Sequence, residues 1–410
     1  MAFDRSSIEK ELSLPTSDIS IIKLVDSIVE YGYNSRASDI HIDPTEDKVN
    51  VRFRIDGVMH NIFTLPKEIQ DEIISRIKVL SGLRTDEHQA AQDGRFKFKT
   101  GKISFDIRVS ITPTYYEENA VMRLLAEPEH GFSLESLGFS EKNLIIARKN
   151  IKKPYGMILV TGPTGSGKTT TLYAILKELN TPDVSIITIE DPIEYSLEGV
   201  EQIQVNPRTG LVFATGLRSI LRQDPNIIMV GEIRDEETAG IAVNAALTGH
   251  LLLSTLHTND AATTLPRLLD MGIEPFLIAS TVNVAISQRL VRRLCQTCKV
   301  KKDLMPDEIK SLENSLPKIY LRGVSLADMN FYEGKGCKEC GGSGYRGRIA
   351  IHEVLEVTES LRRAIMTQAT AATIRDIAIL EGMIPIVQDG LVKAEQGITS
   401  IEEVLRVMHE

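Results

Sequence analysis

The chain has 410 residues, which suggests two to three domains, and its 42% hydrophobic and 25% charged residues are ordinary for a globular protein. A net charge of −9 argues against a dedicated nucleic-acid binder, and the apolar runs are too short to span a bilayer. The N-terminus lacks the apolar core of a secretory signal, so we predict a cytoplasmic chain whose four cysteines do not form structural disulfides.

Helical and alternating apolar patterns occupy the N-terminal third. Residues 1–17 are polar and predict a loose leader. Apolar residues at helical spacing follow Ser20, and the alternation in "KVNVRFRIDG" and "GRFKFKTGKISFDIRVS" predicts a strand and then a hairpin that turns at Thr100-Gly101. We therefore predict a compact α+β domain at residues 18–125, followed by a linker at 126–140.

A different pattern begins at residue 141. Up to about residue 290, the short apolar strands "GMILVTG", "VSIITIED", "NIIMVGE" and "HLLLSTL" alternate with helical stretches. This alternation predicts a mostly parallel sheet with helices on both faces. A cysteine-bearing segment at 291–348 and C-terminal helices at 349–410 follow.

The stretch "GPTGSGKT" fits the phosphate-loop pattern G-x-x-x-x-G-K-[ST] between a strand and a helix. Its glycines let backbone N–H groups turn toward phosphates, and the helix adds its positive N-terminal end. Lys168 would reach the β and γ phosphates, and the Thr169 hydroxyl would bind Mg²⁺. The predicted nucleotide-binding residues are Gly162, Pro163, Thr164, Gly165, Ser166, Gly167, Lys168, Thr169 and Thr170.

Acids and histidines follow the later strands, where sheets of this type carry their functional residues. Glu190 and Glu232 lie one to two residues past apolar runs, and they suit a general base and an anchor for Mg²⁺ and its water. Asp191 and Glu194 lie on the same turn as Glu190. The histidines bracketing "LLLSTL" are weaker candidates, and His257, placed to sense a γ-phosphate, is stronger than His250.

Two cysteine pairs, Cys295-x-x-Cys298 and Cys337-x-x-Cys340, each present two thiolates. Four thiolates suit a closed, structural Zn²⁺ site, while a redox pair or buried thiols remain the alternatives. A basic cluster lies nearby, and it is either a solvated face or a docking surface for an acidic or membrane partner. Its members are Arg292, Arg293, Lys299, Lys301 and Lys302.

Taken together, "GPTGSGKTTTLYAIL", "ITIEDPIEY", "LRSILRQDPNIIMVGEIRD" and "TGHLLLSTLHTND" resemble the four nucleotide motifs of secretion ATPases. These are the hexameric motors of type II secretion and type IV pilus assembly. "SDIHIDP", "VRFRIDG", "QDGR" and "GYRGRIAIHEVL" extend the resemblance to about residues 18–410. It implies an α/β fold class: a RecA-like P-loop motor domain with a mostly parallel sheet, preceded by a smaller PAS-like α+β domain and followed by a zinc insert and C-terminal helices.

The resemblance also implies roles for particular residues. Gly231-Glu232 is the family's usual end to this strand, with Glu232 serving Mg²⁺ and its water. Glu190, in the motif called the Asp box, is assigned as the general base, although the swapped assignment stays open. Arg95 and Arg108 match arginines that reach the γ-phosphate when the N-terminal and motor domains close around ATP. Arg218 and Arg222 are weaker candidates for contacts within or between subunits, and the tetracysteine insert marks assembly and secretion motors rather than retraction motors.

The implied protein is an ATP-hydrolysing homohexamer at the cytoplasmic face of the inner membrane, recruited by a platform protein and without direct nucleic-acid contacts. Two alternatives are a DNA-uptake or nucleic-acid-translocating ATPase, which DNA would stimulate, and a nucleotide-gated scaffold without turnover. Residues 1–17 alone precede the matching region, whereas many members carry a further docking domain there. The sequence leaves open whether this short N-terminus is natural, and whether the machine assembles pili or secretes proteins.

Overall fold

A computed structural model describes residues 5–101, 103–125, 132–315 and 325–409. The chain divides into two compact units, Met1–Glu129 and His130–Glu410. This division falls within the predicted linker at 126–140, of which residues 126–131 lie outside the described part. The rest of that segment packs against the second unit, because Leu134 and Phe139 are buried in its core.

The first unit is one antiparallel sheet with helices. Its six strands lie in the order β3-β2-β1-β6-β5-β4, and all neighbouring strands run in opposite directions. The elements are α1 (Arg5–Leu12), α2 (Ile21–Asn34), β1 (Ala37–Pro44), β2 (Lys48–Ile55), β3 (Val58–Pro66), α3 (Gln70–Ser81), β4 (Gln92–Thr100), β5 (Ile103–Thr114) and β6 (Glu117–Leu125).

The helix, the strand and the hairpin expected here all form. Helix α2 buries four of the apolar positions predicted for it and half-buries Ile21, and β4 pairs with β5 from Thr100 opposite Ile103 onward. The N-terminus differs from expectation, because Arg5–Leu12 form a helix where the sequence predicts a loose leader. The buried side chain of Ile8 explains the difference, since it joins the apolar core of this unit.

The second unit contains the remaining elements. Its strands are β7 (Gly156–Thr161), β8 (Ile186–Glu190), β9 (Glu201–Gln204), β10 (Ile227–Val230), β11 (Leu251–Leu256), β12 (Val282–Leu294), β13 (Lys299–Lys302), β14 (Phe331–Gly334) and β15 (Tyr345–Glu356). Its helices are α4 (Glu141–Ile151), α5 (Lys168–Leu179), α6 (Phe213–Ile220), α7 (Glu236–Leu247), α8 (Ala261–Asp270), α9 (Pro275–Thr281), α10 (Pro306–Ser315), α11 (Glu359–Met366), α12 (Ala371–Leu380), α13 (Ile386–Glu395) and α14 (Ile401–His409).

The predicted mostly parallel sheet is confirmed. Its strands lie in the order β15-β12-β7-β11-β10-β8-β9, and every neighbouring pair is parallel except β12 with β15. Separate apolar cores cover its two faces: α4 and α5 contribute to one, and α7, α8, α9, α11 and α12 to the other. Among the described residues, no helix is both long and apolar enough to cross a bilayer.

The cysteine-bearing segment is an excursion between two paired strands of this sheet. Strand β12 continues to Leu294 and β15 begins at Tyr345, and these two residues lie opposite each other. The predicted limits at 290 and 348 therefore cut through paired strands. A two-stranded antiparallel sheet, β13 with β14, and helix α10 lie within the excursion.

Candidate functional site

The phosphate loop joins strand β7 to helix α5, as the sequence predicts. Gly162, Gly165 and Gly167 all have positive φ angles, of 142°, 78° and 88°, which glycine adopts without strain. Lys168, the first residue of α5, donates from Nζ to the carbonyl oxygens of Gly162 (2.8 Å) and Pro163 (3.0 Å). The Lys168 amine is thereby directed into the loop at the N-terminus of the helix.

Four functional strands lie side by side and run in parallel. The order β7-β11-β10-β8 places the phosphate loop next to the turn after β11, then the turn after β10, then the turn after β8. The carboxyl ends of parallel strands meet at one edge of a sheet, so the motifs predicted from separate stretches converge there. This convergence is the strongest structural sign of a nucleotide site.

Glu232 and His257 meet at this edge. The Glu232 carboxylate lies 3.0 Å from His257 Nε2 and 2.7 Å from Arg234 Nε, and its side chain is 12% exposed. Burial lowers the pKa of Lys168, and the negative charge of Glu232 partly offsets that effect. Glu232 therefore lies within electrostatic reach of the phosphate-loop lysine.

Glu190 is enclosed rather than open to water. One carboxylate oxygen accepts hydrogen bonds from Thr188 Oγ1 (2.7 Å) and Gln202 Nε2 (3.0 Å), and the other accepts one from the Tyr173 hydroxyl. Burial raises the pKa of Glu190, which is 2% exposed. This geometry disfavours Glu190 as the group that takes a proton from water, because its oxygens already hold internal donors.

Tyr173 links the phosphate-loop helix to the turn after β8. Besides donating to Glu190, its hydroxyl accepts a hydrogen bond from the backbone N–H of Glu194 at 3.4 Å. The Glu194 side chain is partly exposed on the same turn. The sequence made Glu190 a candidate because it follows an apolar run. In the structure it is the last residue of β8, and its side chain is buried.

Gln288 supports the phosphate loop and was not predicted. From strand β12, its Oε1 accepts from Thr171 Oγ1 and its Nε2 donates to the Ser166 carbonyl, both at 2.7 Å. A Cβ atom at Gly162 would lie 2.4 Å from the backbone carbonyl oxygen of Gln288. The signal was the polar stretch Ser-Gln-Arg between the apolar residues of "VAISQRLV", because a buried amide such as that of Gln288 needs hydrogen-bond partners.

The side chains of His250, Arg218 and Arg222 make contacts within the fold. His250 precedes β11, at the opposite edge of the sheet, and its Nδ1 lies 3.0 Å from the Ala245 carbonyl oxygen. Arg218 of α6 pairs with Glu237 of α7 at 2.7 Å, and Arg222 donates to the Arg218 carbonyl oxygen at 2.8 Å. These contacts give the three side chains roles within the fold.

Arg95 and Arg108 lie in the first unit, directly opposite each other on β4 and β5. Arg123 of β6 lies opposite Arg108 in turn, so three arginines form a row across neighbouring strands. Arg123 donates to Asp39 at 2.8 Å. The pairing of Arg95 and Arg108 on one face agrees with the alternation predicted for this hairpin, and Arg123 is an addition to it.

The four cysteines converge, and all are free thiols. Their sulfur atoms lie within 4.8 Å of one another, with Cys295 to Cys337 and Cys337 to Cys340 at 3.7 Å and Cys298 to Cys340 at 3.8 Å. A tetrahedron with Zn–S bonds of about 2.3 Å has edges of roughly 3.8 Å. The donor set and its spacing therefore fit Zn²⁺.

The predicted basic cluster is largely paired within the fold. Arg292 donates to Glu403 at 2.6 Å and stacks on the Tyr345 ring, and Lys302 pairs with Glu402 at 2.5 Å. The Arg292–Glu403 pair, with Arg406, holds the pKa of the Glu403 carboxyl at about 2, against the effect of its burial. These contacts favour a structural role for the cluster over a docking surface.

The chain is similar in sequence to a known protein family and to several of its members. Residues 15–406 match the family model described as "Type II/IV secretion system protein". The chain is 47% identical to the type IV pilus assembly ATPase PilB of Thermus thermophilus over 98% of this chain and 45% of that protein. It is 46% identical to the type II secretion system protein E of Xanthomonas campestris, over 96% of this chain and 68% of that one.

Two solved structures share the fold. The ATPase DotB of Legionella pneumophila superposes with a TM-score of 0.70 at 23% identity, over 97% of this chain and 98% of DotB. The pilus retraction motor PilT with bound ADP gives 0.62 at 26% identity, over 93% of this chain and 96% of PilT. The chain spans less than half of the Thermus relative and about two thirds of the Xanthomonas one. By the family match and these identities, the chain belongs to the type II/IV secretion system protein family.

Proposed function

We propose that the chain is the ATP-hydrolysing motor of a machine that assembles type IV pili or a type II secretion pseudopilus. One observation carries this proposal: the phosphate loop, Glu232 and His257 converge at the carboxyl edge of adjacent parallel strands. Relatives from both kinds of machine are named as ATPases. Mg²⁺, when bound, neutralises phosphate charge, and the Thr169 hydroxyl and Glu232 would hold the ion and its water.

Substitution of Glu232 tests this proposal. Glu232→Gln keeps the size of the side chain but removes its charge, so nucleotide binding should persist while turnover falls at least about 100-fold. Glu198→Gln, an exposed acid on the same unit, is the matched control and should hydrolyse ATP like the wild type. Steady-state phosphate release and titration with a fluorescent ATP analogue measure the two quantities. Equal turnover in both variants would refute the role of Glu232.

The roles of the acids divide according to their surroundings. We assign the activation of water to Glu194, beside the Mg²⁺ role of Glu232, and to Glu190 the positioning of the turn after β8. The support is that three donors already occupy the Glu190 carboxylate, whereas Glu194 is partly exposed on that turn. Glu194→Gln should reduce turnover without a loss of stability, and Glu190→Gln should reduce both. A destabilised Glu194→Gln protein with normal turnover per folded molecule would contradict this division.

The arginine row supports a role in phosphate contact. Arg95 and Arg108 lie directly opposite each other on β4 and β5, and this concentration of positive charge suits an anion such as a phosphate. We therefore propose that Arg95 and Arg108 contact the γ-phosphate of ATP when the two units close around it within a homohexamer. Arg108→Gln should lower turnover at least about tenfold, because one arginine that stabilises transition-state charge can contribute about 10³- to 10⁵-fold and Arg95 remains in this variant. Lys97→Gln, on the same hairpin, is the control.

Zn²⁺ is the proposed occupant of the four cysteines, and its place is structural because four protein ligands leave no open position. About one zinc ion per chain is expected on metal analysis of the purified protein. A folded protein without zinc would refute this assignment. The tetracysteine site also supports an assembly or secretion motor over a retraction motor.

The proposed partner is a membrane platform protein, which would hold the motor at the cytoplasmic face of the inner membrane. The support is the membrane machinery implied by the names of the relatives. Affinity capture from solubilised membranes, with Glu232→Gln as bait to slow turnover, should recover a polytopic membrane protein. Stimulation of hydrolysis by DNA at physiological salt would instead favour a nucleic-acid motor.

A further inference from the structure

The turn that carries His257 is bonded to strand β7 and to the C-terminal part of the chain. We call residues 257–260, between β11 and α8, the His turn. Thr258 is buried, its N–H donates to Thr161 Oγ1 at 3.0 Å, and Thr161 Oγ1 donates back to the Thr258 carbonyl oxygen at 2.7 Å. Thr161 is the last residue of β7, directly before the phosphate loop. The His turn is therefore bonded to the start of that loop.

Asp260, at the other end of the His turn, contacts two elements. One carboxylate oxygen accepts from the Thr263 N–H and hydroxyl, both at 2.7 Å, and caps helix α8. The other accepts from Arg375 Nη2 at 2.6 Å, and Arg375 lies 115 residues further on, in α12. A helix cap needs only the first oxygen. The ion pair with Arg375 is thus an additional contact that joins the His turn to the C-terminal helices.

A second contact reinforces this junction one residue further on. The buried Glu353 carboxylate of β15 accepts from the backbone N–H of Ala261 at 3.1 Å and from that of Ile386 at 3.3 Å. These donors are the first residues of helices α8 and α13. Helix N-termini carry partial positive charge and favour a carboxylate. Successive residues, Asp260 and Ala261, are therefore fixed to the C-terminal part of the chain.

By contrast, His257 has little to hold it in place. Its side chain is 45% exposed, and its contact at 3.0 Å is with Glu232, a residue of the site itself. The position of the His257 ring thus depends on the backbone of the His turn. Rate is sensitive to such placement, since an error of 1 Å can cost about 100-fold.

We infer that Asp260 and Arg375 are positioning residues for ATP hydrolysis: their ion pair sets the His turn, and through it the contact between His257 and Glu232. This inference rests on the proposed function of the site. It makes the C-terminal helices part of the hydrolysis machinery, because a displacement of α12 would displace the turn beside the phosphate loop.

Variants that break the pair without removing the helix cap test the inference. Asp260→Asn retains an oxygen acceptor for Thr263 and loses the charge, and Arg375→Met retains the length of the side chain. Each should lower kcat about tenfold with KM for ATP within about twofold, and the double variant should be no slower than either single one, since both act on one interaction. Arg375→Lys should recover part of the loss.

The control is Arg362→Ala, which removes an arginine of α11 that pairs with Glu359 at 3.5 Å, away from the His turn. Hydrogen–deuterium exchange of peptides covering 251–260 provides a readout independent of turnover. It should rise in Arg375→Met and stay at the wild-type level in Arg362→Ala. Normal kcat in Arg375→Met, or unchanged exchange in these peptides, would overturn the inference. A wild-type protein that binds ATP without hydrolysing it would instead overturn the proposed function.

Discussion

Removing one oxygen atom from Tyr173 should weaken both the fold and the catalysis of the motor unit. Tyr173 is 1% exposed, and its hydroxyl donates to the buried Glu190 carboxylate and accepts from Glu194 N–H at 3.4 Å. Tyr173→Phe keeps the ring, so the core loses no apolar volume. It removes the hydrogen bond to the Glu190 carboxylate, worth about 1.5 to 3 kcal/mol, and leaves Glu190 with two donors. It also removes the acceptor of two longer hydrogen bonds, from Glu194 N–H at 3.4 Å and Gln202 Nε2 at 3.3 Å. We therefore expect the free energy of unfolding to fall by at least about 1.5 to 3 kcal/mol.

Urea unfolding followed by circular dichroism measures this loss, and phosphate release measures the accompanying fall in kcat. Tyr155→Phe is the matched control, because Tyr155 is 54% exposed and its hydroxyl lies outside this network. The control should stay within about 0.5 kcal/mol of the wild type, as surface substitutions usually do. If Tyr173→Phe unfolds at the same urea concentration as Tyr155→Phe, the hydroxyl does not stabilise Glu190, and the positioning role of Glu190 fails with it.

Three further predictions concern stability and binding. Burial raises the pKa of Glu353 to about 7 from an unfolded value near 4.5. Between these two pH values the folded state binds more protons than the unfolded state, so the free energy of unfolding of the wild type should fall as the pH rises from 5 to 8. The loss is at most about 3 kcal/mol and should be absent in Glu353→Gln, so parallel pH profiles of the urea midpoints would contradict it. Gly162→Ala should abolish nucleotide binding because its Cβ would lie 2.4 Å from the Gln288 backbone carbonyl oxygen. Gly165→Ala meets no such clash and carries only the strain of its φ of 78°, so titration with labelled ATP should show a smaller loss of affinity. Cys337→Ser should release zinc and lower the melting temperature, and a variant that retains a full zinc ion would count against the four-thiolate site.

The sequence predicted the features that depend on local pattern. The strand, glycine loop and helix around Lys168 follow from one contiguous motif, and the parallel sheet follows from the alternation of strands and helices. The meeting of Glu232 with His257 was predictable for a related reason, because residues that follow parallel strands share one edge of a sheet. Local pattern and one topological rule therefore account for most of the site.

What the sequence did not predict depends on contacts between distant segments. The resemblance to the Asp box assigned Glu190 as the general base, yet Tyr173 and Gln202 from other elements enclose its carboxylate. The ion pair of Asp260 with Arg375 spans 115 residues and belongs to no contiguous motif. Such pairings are set by tertiary packing, which a pattern within one segment does not encode.

The cysteine cluster lies where the excursion leaves β12 and returns to β15, so the length of the excursion can vary. Cys295 directly follows β12, and Cys337 and Cys340 lie shortly before β15, so the thiolate cluster closes the excursion at its base. Bringing together the ends of a flexible loop costs only about 0.6 kcal/mol more for each doubling of its length. Residues inserted beyond the cysteines would therefore lengthen a closed loop and leave the register of Leu294 with Tyr345 unchanged. The length of the segment between Cys298 and Cys337 can therefore change without a shift in the pairing of β12 with β15.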